Sequence, residues 1–266
     1  MPELAEVATY ARDLNAGNRG NKLTKVLFPN QRDWGNVIVP KVVQNELRGM
    51  VKNKIQFSSY GKALVLNLEK TRSHQLEIRL GMTGRFQVDA PAQNWRRHCF
   101  LVLEFSNCTI YYLDPRRFGR MRLPAKPAGS AIGGYAIETG FWRSECPATP
   151  AGYLRQPRVS WLLGTGAITG VGNYMANEAL GRLNLSPFAP CKHQREAESL
   201  LVECGRVAEQ SFLNGGNSFS PGGAGFANLG GERGNFSEFC LFYKNPKVPR
   251  ISFRGRPVYS HFSVNL

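Results

Sequence analysis

The chain has 266 residues, 42% of them apolar, with 34 Lys and Arg against 19 Asp and Glu and a formal charge of +15. That length suits one large or two modest domains, and the apolar content excludes a disordered chain. With no apolar run of about 18 residues no membrane span is expected, and the charge points to a polyanionic partner, most often nucleic acid.

The chain opens Met1-Pro2-Glu3-Leu4-Ala5-Glu6-Val7. A small residue at position 2 favours removal of the initiator Met, which would leave Pro2 as a free secondary amine. An α-amino group has a reference pKa near ~8, so part of it is unprotonated and nucleophilic at neutral pH. Glu3 beside it could move protons. Pro2 also fits an ordinary helix start, where its missing N–H costs nothing. Leu4, Val7, Ala8, Ala11 and Leu14 fall at helical spacing, so a helix is expected from residue 3 to about 15. Asn15-Ala16-Gly17-Asn18 is expected to end it. The helix dipole lowers the pKa of a nearby amine but favours the charged form of Glu3, against a proton-donor role.

From about 22 to 123 the pattern reads as β: Ile55 to Phe57, Ala63 to Leu68, Gln75 to Leu80, Phe100 to Phe105, Thr109 to Leu113 and Arg120 to Leu123. Short runs at this spacing predict an antiparallel sandwich or barrel. Pro- and Gly-rich residues 124 to about 152 read as a connection with one short structured piece. Helices are expected at Tyr174 to Leu183 and Gln194 to Leu213, and a mobile Gly-rich loop from 214 to 235. The last thirty residues predict two strands around Asn245 to Pro249 and a second hairpin at Arg254-Gly255-Arg256-Pro257. No basic leader with an apolar core opens the chain, so no secretory signal is expected. Six cysteines without a Cys-x-x-Cys pair fit a reducing compartment.

Four further stretches could carry chemistry. Asp114-Pro115-Arg116-Arg117-Phe118-Gly119 reads equally as a surface turn or as a wedge whose Arg and Phe enter a base step. Gly81-Met82-Thr83-Gly84 suggests a tight loop presenting Met82, although a core Met is the usual reading. Lys62 enters a strand as an edge guard or a phosphate ligand. Gly170-Val171-Gly172-Asn173 leads into a helix whose free N–H groups could meet an anion, with Asn173 as N-cap or phosphate ligand. It lacks the spacing of a dinucleotide site.

Taken in order, these motifs resemble the formamidopyrimidine-DNA glycosylase / endonuclease VIII family of base-excision repair enzymes, over essentially the whole chain. The resemblance implies an α+β protein of two domains. Residues 1–124 would form a catalytic antiparallel β-sandwich with an N-terminal helix, and 125–152 the interdomain connection. Residues 153–235 would form a helix–two-turns–helix domain with a flexible loop at 214–235, and 236–266 a β-hairpin finger. The implied activity is a bifunctional DNA glycosylase/AP lyase. It would flip an oxidised base from duplex DNA, excise it through a Schiff base on Pro2 and cut the strand by β/δ-elimination. The catalytic residues would be Pro2, Glu3 and Lys62, with Glu6 on the sugar or base. Met82, Arg116 and Phe118 would fill the void left by the flipped base. Lys62, His98, Asn173 and Arg256 would bind phosphates. Alternatives are a protein of the same fold that binds damaged or abasic DNA without cutting it, and a basic RNA-binding protein.

The chain departs from the family pattern in several places. Many members end in a zinc finger with two Cys-x-x-Cys pairs, whereas here Cys240 stands alone and Ser260 and Ser263 take the second pair's places. Four ligands are needed for structural zinc, so the expectation is a zincless finger packed on Phe253, Tyr259 and Phe262, with no metal and no cofactor. Ala5 replaces a usual Pro. Val159 takes the place of a phosphate-binding Lys, for which Arg158 is a candidate substitute. Gly164-Thr165 replaces a commoner Asp-Gln. The Gly-rich loop points to oxidised purines and the zincless finger to a broader or pyrimidine preference. The expected partner is damaged double-stranded DNA, bound by a monomer with no membrane association. The location would be cytoplasmic and nucleoid-associated in a bacterium, nuclear in a eukaryote.

Overall fold

A computed structural model describes residues 2–30, 39–68, 71–89, 95–123, 137–138, 141–142, 155–163, 170–216 and 240–263. Its organising element is helix α1, Leu4–Asn18. Val7, Tyr10, Ala11 and Leu14 join the core of the N-terminal sandwich, while Leu4 and Ala8 join the core of the C-terminal helices. One helix therefore serves two cores, which is why most of its length is buried. It runs past Asn15 because that side chain is engaged elsewhere: Asn15 Oδ1 accepts the Phe57 N–H at 2.8 Å and Nδ2 donates to the Phe57 carbonyl at 2.7 Å. The helix stops instead at Arg19, whose left-handed φ of 50° returns its N–H to the Asn15 carbonyl.

The N-terminal sandwich holds two antiparallel four-stranded sheets. Strands β1 (Leu23–Leu27), β6 (Cys99–Phe105), β7 (Thr109–Leu113) and β5 (Arg85–Val88) form one, in the order β1-β6-β7-β5. Strands β2 (Ile55–Tyr60), β3 (Ala63–Leu68), β4 (Thr71–Arg79) and β8 (Arg120–Arg122) form the other, in the order β2-β3-β4-β8. The core between them includes Leu64, Leu66, Leu76, Ile78, Leu101, Leu103 and Ile110. These positions alternate along their strands, as a half-buried pleat requires. A sequence reading of continuous β structure misses helix α2, Lys41–Gly49, which turns Val43, Gln44 and Leu47 inward. Three inward positions give too short a period to separate from a strand.

The short strands β9 (Ile137–Glu138) and β10 (Phe141–Trp142) pair antiparallel. They are the described part of the expected connection at 125–152; the rest of it, Gly164-Thr165 and residues 217–235 of the expected loop lie outside the described residues. The C-terminal part comprises α3 (Arg158–Leu163), α4 (Asn173–Arg182), α5 (Gln194–Leu213) and the hairpin β11 (Arg250–Phe253) and β12 (Arg256–Tyr259). Arg254 and Gly255 at its tip both have positive φ, 49° and 73°, the signature of a two-residue turn whose twist matches the strands.

Residues 241–244 carry turns rather than the strand expected before Asn245 to Pro249, whereas the strand expected after it is present as β11. The reason lies in α4: Glu178, fully buried, accepts the N–H groups of Leu241, Phe242 and Tyr243 at 2.9, 2.7 and 2.6 Å. Three successive donors converging on one carboxylate cannot also form a ladder. Asn177 Oδ1 accepts the Tyr259 N–H at 2.6 Å, and Asn173 Nδ2 donates to the Pro257 carbonyl at 2.9 Å. Three polar side chains of one helix thus hold the hairpin, with Tyr243 edge-on to Tyr259 and Phe188 against Phe253. Among the described residues no three His, Cys, Asp or Glu side chains gather as a metal site. Cys240 is buried and the Ser260 hydroxyl accepts the Phe262 N–H, a donor set that does not fit structural zinc.

Candidate active site and nucleic-acid interface

The N-termini of α1 and α4 face one another with Glu3 between them. The Leu4 N–H donates to the Gly170 carbonyl at 3.3 Å, and Glu3 Oε1 accepts the Tyr174 N–H at 3.3 Å. Gly172, not Asn173, is the N-cap of α4, and the Glu3 carboxyl does the capping. This geometry explains the glycines. A Cβ on Gly172 would fall inside the Glu3 carboxyl group. A Cβ on Gly170, which also has φ +103°, would stand 3.1 Å from Leu4 Cβ and 3.2 Å from Gly61 Cα. Gly61 and Lys62 form the turn between β2 and β3, so that turn, α1 and α4 meet at one point.

Burial dominates the electrostatics there. Glu3 is only 6% exposed. Loss of hydration pushes its carboxyl up to about 8; the nearby Lys62 ammonium opposes this, the Glu6 charge adds to it, and the Tyr174 and Met175 amides oppose it. The protonated form is therefore favoured near neutral pH. The helix dipole on its own favours a charged Glu3, as expected from the sequence; desolvation reverses that. Glu3 Oε2 is buried with no hydrogen-bond partner among the described residues. Lys62 is displaced downward, first by its own burial; Glu3 and Glu6 counter this and Arg256 adds to it. Lys62 from the sandwich, Glu3 from α1 and Arg256 from the hairpin thus share one electrostatic environment. Pro2 lies half-buried directly before Glu3.

Glu6 is committed to the protein. Its Oε2 accepts the Glu3 N–H at 2.7 Å, and its Oε1 accepts the Tyr174 hydroxyl at 3.1 Å and the Ser211 hydroxyl at 3.2 Å. Tyr174 and Ser211 are partners of Glu6 that the sequence reading misses. Tyr174 directly follows the glycine motif, but Ser211 is 205 residues from Glu6 and carries no local signal.

A second group lies at the end of the sandwich. Met82 is 53% and Phe118 50% exposed, and the Arg116 guanidinium sits 4.5 Å from the Phe118 ring centroid. The reading of Met82 as core is thereby excluded. Gly81 has φ +64°, and a Cβ on it would stand 2.6 Å from the Phe118 backbone, so the two loops touch. His98 belongs to this group. Its carbonyl accepts the Asp114 N–H at 2.8 Å, and it is displaced downward by burial and by Arg97, Arg85 and Arg117. No described interaction joins it to Glu3.

Asn173 and Arg256 come together through the Asn173–Pro257 hydrogen bond, and Arg256 is exposed at the hairpin tip. Arg158, the candidate substitute for the missing Lys, is not available to a phosphate. It is 3% exposed, its Nε donates to Glu196 at 2.7 Å and its Nη1 to the Ser186 and Ala189 carbonyls. Val159 beside it is core.

The fold and motifs can be set against known proteins. The formamidopyrimidine-DNA glycosylase N-terminal domain profile matches residues 1–121. The formamidopyrimidine-DNA glycosylase of Desulfitobacterium hafniense is 28% identical over 254 residues, covering 91% of this chain and 88% of that protein. That of Thermus thermophilus is 31% identical over 275 residues, covering 97% and 92%. The crystal structure of the MutM (Fpg) protein from Thermus thermophilus superposes with a TM-score of 0.73 at 27% identity, covering 97% of each chain. Lactococcus lactis Fpg bound to Fapy-dG containing DNA shares the fold, with a TM-score of 0.71 at 18% identity. With that identity running nearly end to end and the fold shared over the same span, the chain belongs to the formamidopyrimidine-DNA glycosylase family.

Proposed function

We propose that this protein is a DNA glycosylase that removes damaged bases from duplex DNA and, as an AP lyase, cuts the strand at the resulting site. The observation that supports this reading best is the buried Glu3 carboxyl at the junction of the two α-helix N-termini, directly after Pro2, where it feels the Lys62 ammonium, which in turn feels the Arg256 charge, and where burial favours its protonated form near neutrality. The family relatives are formamidopyrimidine-DNA glycosylases by name, and the Lactococcus lactis protein of this fold has been solved with Fapy-dG containing DNA.

Removal of Met1 frees the Pro2 amine. It attacks C1′ of the flipped nucleotide, forming an N–C bond while the glycosidic bond breaks and the base leaves with its electron pair. Glu3, the neutral acid, protonates O4′ as the sugar ring opens to an iminium. The iminium withdraws electrons from C2′, whose proton passes to water; the C3′–O bond breaks with its electrons going to the 3′ phosphate. In a second elimination the C4′ proton passes to water and the C5′–O bond breaks with its electrons going to the 5′ phosphate; water then hydrolyses the imine, which releases the sugar fragment and restores the Pro2 amine. Lys62, Asn173 and Arg256 would hold the flanking phosphates, and Glu6, through the Glu3 N–H and Tyr174, keeps Glu3 in place. Met82, Arg116 and Phe118 would occupy the vacated stack, offsetting an unstacking cost of a few kcal/mol. The protein would act as a monomer, which sedimentation tests.

Borohydride reduction in the presence of a duplex with one oxidised base should trap protein covalently on DNA. Pro2→Gly should abolish trapping while retaining DNA binding. An intact mass that still includes Met1, or a gel shift with no cleavage of oxidised or abasic duplexes, would favour a non-cutting damage-binding protein.

A further inference from the structure

We infer that Asp114 and Thr83 are positioning residues that lock the two void-filling loops into one rigid wedge, an inference that rests on the wedge reading of Met82, Arg116 and Phe118. Asp114 is fully buried directly beneath an exposed loop, a position where a carboxylate needs several donors. It has them on both sides. Oδ1 accepts the Thr83 hydroxyl at 2.6 Å and Oδ2 accepts the Gly119 N–H at 2.7 Å. Its backbone N–H donates to the His98 carbonyl at 2.8 Å, and its carbonyl accepts the Arg117 N–H at 3.2 Å. Thr83 Oγ1 in turn accepts the Arg116 N–H at 3.3 Å.

Thr83 directly follows Met82, and Arg116 and Phe118 lie between Asp114 and Gly119. All three wedge side chains are therefore within two residues of an atom bonded to this pair. The pair is also what joins one loop to the other by hydrogen bonds: the Asp114–Thr83 bond links residues 31 apart in sequence. The glycines close the arrangement. A Cβ on Gly84 would stand 2.5 Å from the Tyr112 hydroxyl, and one on Gly119 would overlap it, so the loops lie directly on that ring. The bond from hydroxyl to carboxylate is short and charge-assisted, among the stronger kinds. Flipping a base requires side chains that resist being pushed back by the stack. Exposed side chains on two separate loops would not do so unless the loops were tied together.

Thr83→Val removes the hydroxyl and keeps the shape; Thr83→Ser keeps the hydroxyl. The readouts are excision of an oxidised base from duplex DNA and cleavage of an abasic site in single-stranded DNA, where no base need be flipped. Thr83→Val should lower duplex excision about tenfold to a hundredfold, since displacements of about 1 Å cost that much. It should leave single-strand cleavage within about twofold, and Thr83→Ser should restore excision. Thr83→Val added to the combined Met82→Ala, Arg116→Ala and Phe118→Ala variant should cost no more than that variant alone, because Thr83 acts through those three side chains. Normal duplex excision by Thr83→Val, equal losses on both substrates, or a further loss when Thr83→Val is added to the combined variant would each overturn the inference while leaving the wedge itself standing. Full activity of both Met82→Ala and Phe118→Ala would instead sink the wedge reading, and this inference with it.

Discussion

Replacing Glu3 by Gln tests the central electrostatic claim through stability as well as through activity. In the folded chain the Glu3 carboxyl is raised from an ordinary 4.5 to about 8 by burial, so between those values the folded protein holds a proton that the unfolded chain has released. Stability from this group is complete below about 4.5 and is lost as pH rises through about 8. At 1.36 kcal/mol per pH unit the full displacement corresponds to on the order of 5 kcal/mol. Gln has the shape of the neutral acid and can still accept the Tyr174 N–H, but it cannot ionise. Glu6, Lys62, Arg256 and Tyr174 are present in both proteins. The variant should therefore melt close to the parent at pH 5 and above it at pH 8.5, by on the order of 10 °C for a chain of this size. Differential scanning calorimetry from pH 5 to 9 measures both curves. Parallel curves would refute the argument, because they would mean that Glu3 is already ionised in the folded protein. Excision should move the other way, falling at least a hundredfold in the variant because a positioned proton donor is gone. In the parent, excision should decline as pH rises through about 8.

Gly172→Ala should destabilise the protein by about 3 kcal/mol or more, because a Cβ there overlaps the Glu3 carboxyl group; urea unfolding measures it. Glu178→Ala leaves the amides of Leu241, Phe242 and Tyr243 without their acceptor, at about 1–3 kcal/mol each. Hydrogen exchange should then speed up in residues 241–259 before it does in the sandwich, and duplex binding should weaken with the loss of a fixed Arg256. Arg256→Ala alone should weaken binding on all sequences and reduce the slope of log affinity against log salt by about 1. Arg158→Ala should leave that slope unchanged while lowering stability, since its guanidinium is bound to Glu196 and two carbonyls.

Much of this protein is legible in its sequence. The alternation of Ala63 to Leu68 marks a half-buried strand whatever surrounds it, and the apolar spacing of Leu4, Val7, Ala11 and Leu14 marks a helix. The glycines around Met82 and after Phe118 announce tight loops, because only glycine accepts such backbone approaches. Those signals are local, and local sequence encodes them. What the sequence did not decide is the state of each group once the chain has closed. From Met1-Pro2-Glu3 alone, the helix dipole argues for an ionised Glu3. The neutral acid follows only when α4, the Lys62 turn and Glu6 enclose it. Arg158 reads as a free cation and is instead a buried structural one, because Glu196 and two carbonyls lie within its reach only in the folded chain. Residues 241–244 read as a strand and become turns, because Glu178, more than sixty positions away in sequence, takes the amides of Leu241, Phe242 and Tyr243. Backbone period and turn chemistry are properties of neighbours along the chain. Desolvation and hydrogen-bond partnership are properties of neighbours in space, so only the tertiary structure determines which acid keeps its proton and which cation is left to meet a phosphate.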